Sequence, residues 1–133
     1  MHTLASIYRA AQLYAHFAHN VVKGSTFFAD HEFLGELYPA YEAAYDAIVE
    51  REIGLGETVS IPEITKNAYH LFATAAKDSD AQTFFKRLLA TEKQICIQIA
   101  KDMKGKSDGT QNLLQGLADD SEKRQFQLKQ RIG

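Results

Sequence analysis

Apolar residues recur at three- and four-residue intervals almost from end to end of this chain, a spacing that admits little but helix. Only two prolines, Pro39 and Pro62, interrupt it, and strand-like alternation is nearly absent. Residues 3–22 carry Leu4, Ile7, Tyr8, Ala11, Tyr14, Ala15, Ala18 and Val22 on one stripe. "KGS" at 23–25 ends that helix, with Gly24 as a left-handed capping residue. The spacing predicts a second helix from near Phe27 to Glu52, with His31, Leu34, Tyr38, Tyr41, Tyr45, Ile48 and Glu52 as its stripe. "GLGETVSIPE" is the next break, and a short helix follows over about 63–76, started by Pro62 near its first turn. Asp78 or Ser79 is placed to cap a third long helix, with Phe84, Phe85, Leu88, Leu89, Ile95, Ile99 and Met103 as its apolar face. "KGKSDG" separates it from a fourth, about 110–131, whose segment "ADDSEKRQFQLKQR" keeps few apolar positions and presents its surface to water or to neighbouring subunits. Four long helices with one longer link specify an all-α four-helix bundle, with a short extra helix between the second and third long helices. The 133 residues form one domain, 1–133.

Charge narrows the partners. Fifteen basic residues against 17 acidic ones leave a formal net charge of −2, which makes no electrostatic case for nucleic acid or an anionic membrane. No apolar run approaches the roughly 20 residues of a membrane span, and no signal peptide opens the chain. The single cysteine, Cys96, cannot pair within the chain, so a reducing cytoplasm fits; it reads as a small buried hydrophobe.

Two groups of polar residues stand out. His19 and His31 lie twelve residues apart on either side of the Lys23-Gly24 turn. Asp46 and Glu50 are four apart and share one helix face. Imidazoles and paired carboxylates suit iron, manganese or zinc. Equally, such carboxylates make a solvated helix face, and a lone histidine in an apolar segment is often a hydrogen-bonded core residue. Distance constrains the metal reading. His31 and Asp46 are fifteen residues apart on one helix, roughly 22 Å along its axis. They cannot share one ion within a chain, whereas His19 and His31 meet across the turn. If Asp46 and Glu50 complete that site, they come from a second chain, through an antiparallel two-fold pairing of second helices.

The stretch "HNVVKGSTFFADHEFLGELYPAYEAAYDAIVERE", with "GLG" after it, resembles the Dps family of mini-ferritins. In that pattern a histidine, a basic-Gly turn, an aromatic pair and a second histidine precede an aspartate, another aspartate and a glutamate. His19, Lys23-Gly24, Phe27-Phe28, His31, Asp46 and Glu50 match without gaps. The resemblance implies a ferritin-like bundle assembled as a homo-oligomeric, twelve-subunit shell. It implies a ferroxidase centre at each two-fold interface, with His19, His31, Asp46 and Glu50 as catalytic and metal-binding residues. Fe(II) would be oxidised, typically by hydrogen peroxide, and stored as Fe(III) mineral.

Three departures matter. Gly35 stands where the family has a same-chain aspartate ligand. Glu36 is adjacent but turned about 100° away on an ideal helix; a kink caused by Pro39, four residues after Gly35, would re-aim Glu36 as a further ligand. Asn20 replaces a frequent tryptophan, and no lysine-rich segment precedes the first helix, so DNA binding is not expected. Around the family's acidic entry pore this chain offers Asp108, Asn112, Asp119 and Asp120, which read as solvated turn residues. His16 is either a neighbour of the site or a surface histidine; His2 and His70 read as unrelated. Two rival functions remain beside iron oxidation. One is a Dps-like oligomer with a degenerate or zinc-filled site, serving as a structural or interaction protein. The other is a ferritin-like enzyme of different di-metal chemistry, which wants Glu-x-x-His motifs; none occurs.

Overall fold

The computed structural model describes all residues, 1–133, and contains five helices and no strand. In chain order they are α1 (His2–Val21), α2 (Phe27–Gly54), α3 (Ile61–Ala75), α4 (Ala81–Asp102) and α5 (Asp108–Ile132). α1 packs against α2, α3 and α4, and α4 packs against α5. The short α3 therefore lies in the link between α2 and α4 and covers part of α1. None of the helices is long and apolar enough to cross a membrane.

Most positions of the sequence stripes are buried, while His31, Tyr38, Leu89 and Met103 are half-buried. All eight residues of the first stripe, Leu4 to Val22, are buried, as are Leu34, Tyr41, Tyr45 and Ile48 of α2 and Phe84, Phe85, Leu88, Ile95 and Ile99 of α4. They meet in one core with Leu114, Leu117 and Leu128 of the more polar α5. Burial of such side chains is the main source of stability, at roughly 1.5–3 kcal/mol each relative to exposure.

The ends of the helices have identifiable causes. Ser60 accepts the Glu63 N–H at 3.3 Å and Pro62 sits in the first turn of α3, where its missing N–H costs nothing. Ser107 accepts the Thr110 N–H at 3.3 Å to start α5. Gly24, at φ +113°, occupies a conformation that a side chain would strain and turns the chain from α1 into α2. The cap of α4 is Asp80, not Asp78 or Ser79: its carboxylate accepts the Thr83 N–H at 3.1 Å. Asp78 is engaged elsewhere. It accepts the Tyr14 hydroxyl at 2.7 Å and two hydrogen bonds from Arg87, tying the α3–α4 connection to α1.

Two more expectations need correction. α2 runs unbroken through Pro39 to Gly54, so no break re-aims Glu36. Cys96 is half-buried rather than buried, and it is not a plain hydrophobe: its Sγ lies 3.4 Å from both the Ser121 hydroxyl and the Gln125 amide.

The core also encloses a charge. Glu92 of α4 is fully buried and accepts hydrogen bonds from the Tyr41 hydroxyl at 2.5 Å, the Ser121 hydroxyl at 2.6 Å and Arg124 Nε at 2.5 Å. Its charge is thereby neutralised by Arg124 and its lone pairs are occupied, the condition on which a buried ion is tolerated. The three partners come from α2 and α5, so the carboxylate fastens three helices. Burial raises the Tyr41 hydroxyl well above its ordinary pKa and keeps it a donor.

Candidate metal centre

The turn after α1 brings His19 and His31 face to face. Their rings stack with centroids 3.7 Å apart and planes 17° from parallel. Nδ1–H of His19 donates to the His31 carbonyl at 2.8 Å, and Nδ1–H of His31 donates to the His19 carbonyl at 2.8 Å. A carbonyl only accepts, so the hydrogen bonds place a proton on both Nδ1 atoms. In each neutral ring the lone pair is then on Nε2. His19 lies in the last turn of α1, where carbonyls lack a helical partner, so the His31 ring also satisfies a helix end. Both rings are half-buried.

Aromatic neighbours hold the pair. Phe27 stacks on His31 at 4.9 Å, and Tyr38 meets His19 edge-on at 5.5 Å. His16, exposed, stacks on Tyr38 at 4.1 Å with planes 12° apart, and its centroid is 6.3 Å from that of His19. Its place is thus beside the site, one ring removed. Spacing alone marked none of these rings as neighbours of the histidines except His16; the i, i+4 offset of Phe27 and His31 was the available signal.

Gly35 has a packing cause. A Cβ built there would lie 2.9 Å from Cε1 and 3.2 Å from Nδ1 of His19. The ring edge occupies the space of the missing side chain. Glycine in mid-helix costs roughly 0.5–1 kcal/mol against alanine, and contact of this kind is a reason to keep it.

Asp30, adjacent to His31, anchors the turn from the other side. It is buried and accepts from Arg131 Nε at 2.8 Å, Arg131 Nη2 at 2.9 Å and the Thr26 hydroxyl at 2.7 Å. The guanidinium of Arg131 holds the Asp30 carboxyl below the usual carboxylate range, with Thr26 adding to it and burial opposing. The start of α2, and with it His31, is thereby fixed to the C-terminal end of α5.

Asp46 and Glu50 are both exposed, and neither has a hydrogen bond or ion pair within the chain. They stand on the same unbroken helix as His31. No group of three or more His, Cys, Asp or Glu side chains comes together anywhere in the chain to hold a metal. His19 and His31 are thus united, while Asp46 and Glu50 stand apart from them. At 100° per residue, however, His31, Gly35, Asp46 and Glu50 fall within about 100° of one α2 face. Glu36 faces elsewhere: it lines a groove with Phe33, Leu37, Ala40, Arg124 and Gln127, between α2 and α5. Asp108, Asp119 and Asp120 are exposed on α5, and Asp119 pairs with Lys123 at 2.9 Å.

This is a helical bundle carrying two tautomer-locked imidazoles at the turn between its first two helices. The sequence profile of the ferritin-like domain matches residues 2–133, and the chain belongs to that family. No curated protein matches it. Ferritin-like domains generally bind iron, and imidazoles whose Nδ1–H groups are held by carbonyls present Nε2 as a donor of the right chemistry.

Proposed function

We propose that the chain is a Dps-like mini-ferritin that oxidises Fe(II) and stores it as Fe(III) in a hollow homo-oligomer. The observation that carries this reading is the reciprocal bonding of His19 and His31, which leaves an Nε2 on each ring free to bind a metal. Two imidazoles alone leave the ion's charge uncompensated. Asp46 of the partner subunit and Glu50 of the partner subunit would supply it across a two-fold axis. That role agrees with the exposure of both carboxylates and with the α2 face they share with His31. Carboxylates favour Fe(III) over Fe(II), so they assist the loss of an electron. Two Fe(II) ions each give up one electron, and one peroxide with two protons becomes two waters. The imidazoles bind and orient the iron, and their Nδ1–H bonds to fixed carbonyls keep the ring directions unchanged as it is oxidised. Twelve subunits and a cytoplasmic setting complete the reading, with no role for DNA.

A second reading has a specific observation in its favour. The His19 ring fills the position of the absent side chain at Gly35, so the chain lacks the family's same-chain carboxylate. A Dps-like oligomer holding zinc, or no metal, would then serve as a structural or interaction protein.

Peroxide-driven and aerobic Fe(II) oxidation by the natural chain, His31→Ala and Glu50→Ala separates the two. Loss of rate in both variants is the expected result; equal rates in all three chains overturn the ferroxidase reading. A solution mass near twelve subunits is expected, and a monomer overturns the shared site.

A further inference from the structure

We propose that Gly35 is a positioning residue for the imidazole pair: its missing side chain is the seat of the His19 ring, and that seat sets the direction of His19 Nε2. As a statement about metal binding, this rests on the metal-centre reading above.

The geometry makes the glycine a requirement. The Nδ1–Cε1 edge of His19 lies against the Gly35 backbone, and a Cβ there would come within 2.9 Å of Cε1. Real Cβ contacts do not approach so closely, so either ring or helix must move. The ring has nowhere to yield without loss. His31 covers one face at 3.7 Å, Tyr38 closes an edge at 5.5 Å, and Nδ1 is committed to the His31 carbonyl at 2.8 Å. Moving it breaks the stack or the hydrogen bond that fixes the tautomer. A tautomer released from that bond spends part of its time with the proton on Nε2, where it blocks a metal.

Gly35 is therefore not a simple deletion of a ligand from an otherwise unchanged site. A carboxylate at this position and the stacked His19 exclude one another. Gly35→Asp adds a donor only by displacing a better-placed one. The site selects a donor set built on two nitrogens from this chain.

The test compares the natural chain with Gly35→Ala and Gly35→Asp. Nitrogen NMR of the metal-free proteins reads the His19 tautomer, and calorimetric titration with Zn(II) reads affinity. The natural chain is expected to show His19 protonated at Nδ1. Gly35→Ala is expected to lose that single tautomer and to bind Zn(II) about 10- to 100-fold more weakly, the usual effect of losing a group that orients a metal ligand. Gly35→Asp is expected to bind no more tightly than the natural chain. An unchanged tautomer in Gly35→Ala, or tighter Zn(II) binding by Gly35→Asp, overturns the inference. If the natural chain takes up no metal while Gly35→Ala still loses the tautomer, the metal-centre reading falls and the positioning role stands. Alanine is the better helix former, so Gly35→Ala keeps α2 intact.

Discussion

His19 and His31 each donate Nδ1–H to the other's backbone carbonyl, at 2.8 Å in both directions. Each imidazole is oriented by the helix that carries the other, so the pair is assembled once α1 and α2 pack. Nothing comparable organises Asp46 and Glu50.

A shared centre predicts rescue by mixing. His31→Ala and Glu50→Ala chains should each be inactive in Fe(II) oxidation. Refolded together in equal amounts, they should recover about a quarter of the natural rate, since half the pairs are mixed and each mixed pair holds one intact site of two. Stopped-flow absorbance of ferric product checks this. No recovery from well-formed mixed oligomers would count against intersubunit ligation.

Acid should loosen the α1–α2 turn. The Asp30 carboxyl has a lower pKa folded than unfolded, because Arg131 donates to its charged form. Between the two values the folded state binds fewer protons, so the stabilisation is complete above the unfolded value, about 3.9. It is lost as pH falls through the folded value. Arg131→Ala should cost about 1–3 kcal/mol at neutral pH by leaving a buried acceptor under-satisfied, and the cost should shrink in strong acid. Urea midpoints measured from pH 7 into strong acid, below the folded value, would show the convergence; a penalty that stays constant across that whole range would refute it.

Breaking the buried pair in the core should be more severe. Glu92 is 0 % exposed, so Arg124→Met leaves its charge uncompensated and should cost about 3–5 kcal/mol. Tyr41→Phe removes one hydrogen bond to the same carboxylate and should cost about 1.5–3 kcal/mol. Chemical denaturation gives both numbers. Comparable small effects would mean that water replaces the lost partners.

The two aspartates before α4 should separate by mechanism. Asp80→Ala removes the helix cap and should cost about 1 kcal/mol, with amide exchange rising in the first turn of α4. Asp78→Ala should instead free Tyr14 and Arg87 and raise exchange where α1 meets the α3–α4 connection.

Periodicity made the bundle legible, because apolar stripes such as Leu4 to Val22 and Leu34 to Ile48 are repeated many times and burial rewards each repeat. Helix ends were less so. "DSD" offers three capping residues, and Asp78 is claimed by Tyr14 of distant α1 and by Arg87 of α4 itself, which leaves the cap to Asp80. The meeting of His19 and His31 followed from a short turn between two helices. The fit of Gly35 against His19 did not, since a missing side chain leaves no pattern to read. Glu92 and Asp30 were invisible for a related reason: each looks like any surface acid until Arg124 or Arg131, 32 and 101 residues away, is folded against it.

The buried Glu92 also determines how α4 and α5 can mate. Sliding one along the other by a helical turn, about 5.4 Å, would replace Ser121 and Arg124 by Leu117 and Asp120 in one direction, or by Gln125 and Leu128 in the other. The first sets carboxylate against carboxylate and the second strands the charge against leucine. An apolar interface would tolerate such slippage with little penalty. This one behaves as a key cut for a single notch, so the long, polar α5 has one place to stop.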